Sequence, residues 1–284
     1  MAGSLSGQNM IGSEVLECLE MTLLLEAIFQ RFGDDFRDHK REVIRRKLYS
    51  FMLAHDIPTI SLLQDRVLHD PTYIDALRYT LDAHPAGLFD YPKHTQELRK
   101  VLIPWIRSCP APKVWIAECS AAEDVYSIAI MLMEEGVYHK TQIFATGTNA
   151  TLLSEARKGK FSLEKLAQYE DNYLRAGGTE TLAHYYVEKD GAGFFRAELD
   201  CNITWAQYNL GTDASFNEFE LIVCRGGLGD YTLRLRRRIL KLFSDSMPTF
   251  GLLSIVGSDY ADITRFMSRY AAMSSQYGLY QKIR

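Results

Sequence analysis

Apolar residues recur at helical spacing through the first hundred positions of the chain. One such run extends from Ser13 to Phe32 and stops near Gly33. A second, from Asp35 to His55, sets Val43, Ile44, Leu48, Phe51 and Met52 on one side and Arg41, Arg45, Arg46 and Lys47 largely on the other. Shorter helices are expected at Thr59–His69 and Pro71–His84, with a break at Pro85-Ala-Gly87 and a last helix at Thr95–Ser108. Cys109-Pro-Ala-Pro112 then reads as a linker, because two close prolines cannot sit inside a helix. Beyond it the period changes. Strands at Lys113–Ala117, Thr141–Thr146, Ala183–Val187, Phe194–Ala197, Ile203–Gln207, Glu220–Cys224 and Gly251–Gly257 alternate with other elements. Helices are expected at Glu123–Glu135, Ala150–Lys158, Ser162–Ala176 and Thr232–Asp245, with Asp190-Gly-Ala-Gly193 as a hairpin turn. The end of the chain reads as a helix at Ala261–Met273 and a strand at Tyr277–Ile283. This pattern predicts an all-α domain over 1–108, a linker over 109–112 and an α/β domain over 113–284, built on a largely parallel sheet.

Within the second domain, Val114 to Met133 reads as strand, tight loop and helix. In a doubly wound sheet the first such turn is where a nucleotide-like cofactor meets backbone N–H groups and a helix N-terminus. Glycine is normal there, since the ligand must lie against bare backbone. Here the corresponding positions are Glu118, Ala121 and Ala122.

Composition narrows the classes. The 284 residues are 47% hydrophobic and 24% charged, with net charge −4 and pI near 6.0. Nothing in that balance favours nucleic acid or an acidic membrane surface. Five scattered cysteines without a C-x-x-C pair read as free thiols in a reducing compartment, and no metal site is expected. The N-terminus lacks a signal-peptide pattern and Leu23-Leu-Leu25 is far short of a membrane span, so a cytoplasmic protein without membrane insertion is expected.

Several motifs then carry a resemblance. Ala117-x-Cys-Ser-x-x-Glu-Asp-x-Tyr-Ser-Ile-Ala129, Phe144-Ala-Thr146, Asn172-Tyr-Leu-Arg-Ala-Gly-Gly178, Asn209-Leu210 and Glu220-Leu-Ile-Val-Cys-Arg225 occur in that order. Together the chain resembles the CheR family of chemotaxis-receptor methyltransferases, from about residue 20 to the end. The resemblance implies a Rossmann-like S-adenosylmethionine methyltransferase domain with a small antiparallel excursion, preceded by a helical domain. It further implies methyl transfer to a receptor glutamate.

The resemblance fails at the positions that would hold the cofactor. The family's first loop reads roughly Gly-Cys-Ser-Thr-Gly-Glu-Glu-Pro-Tyr-Ser; here its first Gly is Glu118 and its Thr-Gly is Ala121-Ala122, while Glu123 is kept. The acidic ribose acceptor after the second strand is Gly147, with Thr148 or Asn149 as partial substitutes. Such a charged contact is worth roughly 1.5–3 kcal/mol. In the lid segment His84–Pro92, the family's Asn, Thr and Arg are His84, Ala86 and Asp90. After Cys224, Arg225 survives, but the family's Asn is Gly226 and its substrate-bordering Tyr is Asp230, with Tyr231 displaced by one. Asn209 and Leu210, which flank adenine in the family, are retained.

The leading expectation is therefore a degenerate CheR-like protein. It has no catalytic residue at Asp90 or Asp230, and Glu118, Glu123, Gly147, Asn209, Leu210 and Arg225 are remnants of a cofactor site. It would act in bacterial signalling through a protein partner or another ligand. One alternative is an active S-adenosylmethionine-dependent protein-glutamate O-methyltransferase with a remodelled pocket. Another is a receptor for a cyclic dinucleotide, a phosphate-bearing ligand held by Arg41, Arg45 and Arg46 or by the run Arg234–Arg238. The bland readings are that both basic runs are solvated helix faces, and that His84 and His94 are surface histidines.

Overall fold

The computed structural model describes residues 5–226, 228–256 and 268–284. By contact the chain parts into two compact units, Met1–Asp82 with Asp230–Thr232, and Ala83–Gly229 with Leu233–Arg284.

The first unit holds α1 (Leu5–Phe32), α2 (Arg41–Ala54), α3 (Ile60–His69) and α4 (Pro71–Asp82). Leu24, Ile28, Ile44, Leu48, Leu63 and Leu77, each at most 1% exposed, fill its core. α2 begins six residues later than its apolar pattern suggests. The Asp35 carboxylate accepts from the backbone N–H and Nε of Arg37, an Asx-type turn that competes with helix. α3 starts where expected because the Thr59 hydroxyl accepts from the N–H of Leu62 and caps it.

In the second unit, β1 (Lys113–Ala117), β2 (Gln142–Gly147), β6 (Ile203–Gln207), β7 (Leu221–Arg225) and β8 (Leu252–Val256) are parallel. β10 (Leu279–Lys282) joins antiparallel to β8 and to β9 (Tyr270–Ser274), giving the order β6-β2-β1-β7-β8-β10-β9. The helices of this unit are α5 (Pro92–Ser108), α6 (Ala122–Glu134), α7 (Ala150–Arg157), α8 (Leu166–Arg175) and α9 (Leu233–Asp245). A second sheet, order β3-β5-β4, comprises β3 (Lys160–Ser162), β4 (Tyr186–Lys189) and β5 (Ala192–Phe195), all antiparallel. Alternation along β1 splits the core. Val114 and Ile116 pack with α6, whereas Trp115 meets the rings of Tyr208, Phe216, Phe219 and Phe243 and donates from Nε1 to Thr146 Oγ1 at 2.8 Å.

Several expectations need correction. The α5 helix belongs with the sheet and not with the N-terminal helices: Leu98, Leu102, Ile103 and Ile106 are buried in the same cluster as α6. Residues 162–176 are not one helix, since Ser162 ends β3 and caps a short 3-10 turn before α8. The hairpin turn is two residues, Asp190 and Gly191, both with positive φ, so β5 starts at Ala192, two residues earlier than expected. The strand expected over 183–187 is a 3-10 turn up to Tyr185, with β4 beginning at Tyr186. Residues 270–273, expected as the end of a helix, are strand paired to β10. The rest of that expected helix, up to residue 267, lies outside the described residues.

Candidate functional site

The loop after β1 keeps a glycine-like backbone without a glycine. Glu118 has φ +58° and is half-buried, in the left-handed region that costs a residue with a Cβ roughly 1–2 kcal/mol. The next residue is lashed across the end of β2: Cys119 N–H donates to the Thr146 carbonyl at 2.8 Å. This brings the Cys119 carbonyl against Gly147, where an added Cβ would lie 2.6 Å from that oxygen and 3.6 Å from Leu153 Cδ2. The Gly147 carbonyl is itself taken by the N–H of Tyr208 at 2.9 Å. Ala121 then enters α6 without a side-chain cap, and Ala122 is buried.

α6 is buried on all sides from Ala122 to Leu132, so the two carboxylates of its first turn need partners. Asp124 finds Arg225, whose Nη1 lies 3.0 Å from its Oδ1, with 6% and 15% of the two side chains exposed. Burial, reinforced by Glu123 and Asp90, outweighs the attraction of Arg225 and pushes the Asp124 carboxyl up to about 6. Asp90 Oδ2 lies 3.9 Å from Arg225 Nη2 and accepts from the N–H of Gly87 at 2.5 Å. The Arg225 guanidinium also stands over the Tyr91 ring, 5.6 Å from its centre. Two serines hold the 84–92 segment: Ser120 Oγ accepts from His84 N–H, and Ser127 Oγ from Phe89 N–H. His94 is a buried residue, contrary to the surface reading. Its Nε2 meets Ser254 Oγ at 2.9 Å, and burial with nearby Arg225 lowers its pKa to about 4.

The remaining candidates scatter. Glu123 is buried and accepts from the Tyr169 hydroxyl at 2.5 Å, with Lys165 Nζ at 3.8 Å. Asn149 is committed to capping α7 through Thr151 and Leu152 N–H, which counts against its substituting for a ribose acceptor. Asn209 turns its Oδ1 to the N–H of Gly211, and Leu210 is buried. Asp230 and Tyr231 fall in the first unit, where the Asp230 carbonyl accepts from Lys40 N–H and Tyr231 packs edge-on against His39. There Arg45 pairs with Glu17 and Arg41 donates to the Cys18 carbonyl, while Arg46 is exposed. In the other basic run Arg236 is buried, not solvated, with Nη2 at 3.5 Å from the Gly229 carbonyl, and Arg238 donates to the Thr212 carbonyl. Among the described residues no group of three or more His, Cys, Asp or Glu is placed to hold a metal ion. Sequence reading missed Asp124 as the partner of Arg225. The available signal was a carboxylate inside a helix apolar on all faces.

A parallel sheet with an antiparallel final pair, a helix running out of the first strand and a helical unit ahead of it define a Rossmann-like methyltransferase architecture. The chain belongs to the CheR methyltransferase family. Residues 19–81 match the model of its all-alpha domain and residues 86–274 that of its SAM-binding domain. The protein named Cher3 in Pseudomonas putida is 35% identical over 93% of this chain and 97% of its own length. The chemotaxis protein methyltransferase of Listeria innocua is 24% identical over 80% of this chain and 84% of its own. That of Salmonella typhimurium is also 24% identical, over 81% and 80%.

Proposed function

We propose that this CheR-family chain no longer binds S-adenosylmethionine as its family does, and that it acts in signalling through a protein partner or a different ligand. The observation that carries this reading is the fit at Gly147. A ribose-binding carboxylate belongs at this point of the fold, and the space where its Cβ would start is occupied by the Cys119 carbonyl. Two further features support it. Glu118 puts a charged side chain on the backbone position that should lie bare against the cofactor. Arg225, the cation kept from the family pattern, is already engaged by Asp124, with Asp90 beside it. The residues present therefore do not fit the cofactor as the family holds it.

Isothermal titration of the full chain with S-adenosylmethionine and with S-adenosylhomocysteine tests the reading. The expected result is no binding in the micromolar range; a micromolar Kd for either would overturn it. Binding accompanied by methyl transfer to receptor glutamates would establish the active enzyme in its place.

A further inference from the structure

α1 carries more apolar surface than its own bundle uses. Met21, Leu24, Leu25 and Ile28 face inward and lie buried in the core of the first unit. On the opposite side Val15, Leu16, Leu19 and Leu23 are 51–65% exposed. Val15, Leu19 and Leu23 follow one another at intervals of about one turn and Leu16 lies beside them, so the four make one stripe. A helix that serves only its own bundle needs one apolar face. A second, exposed and continuous one marks a contact with something outside the bundle.

Charge narrows what that contact is. Glu17 of α1 is committed to Arg45, Glu20 to the N–H and hydroxyl of Ser61, and Glu26 to Gln30 and Arg37. Glu14 makes no ion pair among the described residues. The flanks are therefore acidic, which repels an anionic lipid surface, and largely neutralised, which leaves little for a basic partner to read. A stripe of this kind fits a copy of itself.

Its spacing is also self-complementary. A two-fold axis at Leu19 lays that leucine on its own copy and Val15 on Leu23 of the second copy, one turn to either side. In this antiparallel pair Glu14 and Glu26 lie roughly 15 and 21 Å along the axis from their own copies, at about 1.5 Å per residue. Those separations exceed the Debye length of about 8 Å; a parallel pair would set each glutamate against its copy. Four side chains fall short of the roughly 800 Å² per partner of a standard interface, so such a pair is weak and reversible.

We propose that this stripe is a self-association surface: two copies of the chain pair through α1, antiparallel about Leu19, in a weak two-fold dimer. The proposal goes beyond the reading of the cofactor loop and does not depend on it.

Sedimentation velocity of the full chain over about 1–500 μM tests it, since a weak dimer populates by mass action. The expected result is a reversible, concentration-dependent shift from monomer to dimer. Leu19→Glu should weaken pairing by about tenfold or more, while Leu53→Gln, at an exposed leucine of α2, should leave it unchanged. Far-UV circular dichroism checks that the helices persist, and Leu19→Gln replaces the glutamate variant if they do not. Val15→Lys alone should weaken pairing, and adding Leu23→Glu should restore it, because the new charges meet across the axis. A double variant no better than Val15→Lys would overturn the antiparallel register. A dimer indifferent to Leu19→Glu, or a chain that stays monomeric throughout, would overturn the proposal. So would a monomer that co-sediments with phosphatidylglycerol vesicles through Leu19, which would assign the stripe to a lipid surface.

Discussion

Gly147→Ala is the most direct test of how the first loop is built. The backbone there is not in the left-handed region, so alanine brings no dihedral strain and only its methyl group matters. That methyl would begin 2.6 Å from a backbone carbonyl oxygen, which cannot swing aside as a side-chain tip would. Relief requires the Cys119–Ser120 peptide to rotate, or Cys119, held by its N–H on the Thr146 carbonyl, to shift away from the end of β2. Overpacking of this kind costs about 1–3 kcal/mol. For a unit of roughly 200 residues, about 2 kcal/mol lowers Tm by about 4–8 °C. Gly147→Asp should lose about as much, because the clash starts at Cβ, and it should not gain S-adenosylmethionine binding. Urea denaturation of both variants with titration of the aspartate one makes the comparison. An alanine variant within about 0.5 kcal/mol of the parent would refute the steric argument. Micromolar binding by the aspartate variant would refute the proposal that the loop closes the site.

Other expectations follow from the same neighbourhood. Arg225→Met strands the buried Asp124 carboxylate and should cost about 3–5 kcal/mol near neutral pH, with the Asp124 pKa moving above 6 in carboxyl NMR titration; an unchanged pKa would show that the pair is not coupled. His94 has its pKa lowered from 6.5 to about 4 by folding, so its contribution is full above 6.5 and is lost as pH falls through that window, up to roughly 3 kcal/mol. Asp124 has the opposite sign, its contribution being full below 3.8 and lost as pH rises through about 6. A His94→Asn variant should therefore show a weaker loss of stability between pH 6.5 and 4 in denaturant midpoints; an acid profile identical to the parent would exclude His94 as a source of it. Asn149→Ala removes the α7 cap and should cost about 1 kcal/mol by urea denaturation; no loss would mean that the cap is made good by another group.

Where the apolar period is regular the elements are legible: α3, α4, β1, β6 and α9 begin within a residue of where the pattern puts them. Local polar chemistry was harder to read. The Asp35–Arg37 turn delays α2, and the positive φ of Asp190 and Gly191 fixes a two-residue hairpin where the run Gly-Ala-Gly offered a longer one. The division between units was missed because Cys109-Pro-Ala-Pro112 is the more conspicuous break, whereas the buried side chains of α5 belong to the sheet. At the site, the unusual residues could be found by resemblance, but their contacts could not. In sequence Asp90 only stands where the family has Arg; in the fold it faces Arg225 together with Asp124, so the three groups form one cluster.

Glu118 and Gly147 are also less independent than their separation in sequence suggests. A list of lost contacts treats them as two deletions whose costs add. In the fold they lie on either side of Cys119, whose N–H fixes it to the end of β2 and whose carbonyl fills the space beside Gly147. The left-handed turn at Glu118 delivers the chain into Cys119, and a side chain at Gly147 would push against the Cys119 carbonyl. Restoring either residue alone therefore meets a loop shaped by the other. Glu118→Gly removes backbone strain but leaves the carbonyl where it is, and Gly147→Asp meets it directly. The two positions should show a non-additive interaction in a double-mutant cycle. The expected sign is favourable, because the freer backbone of the Glu118→Gly change lets Cys119 move away from the new side chain.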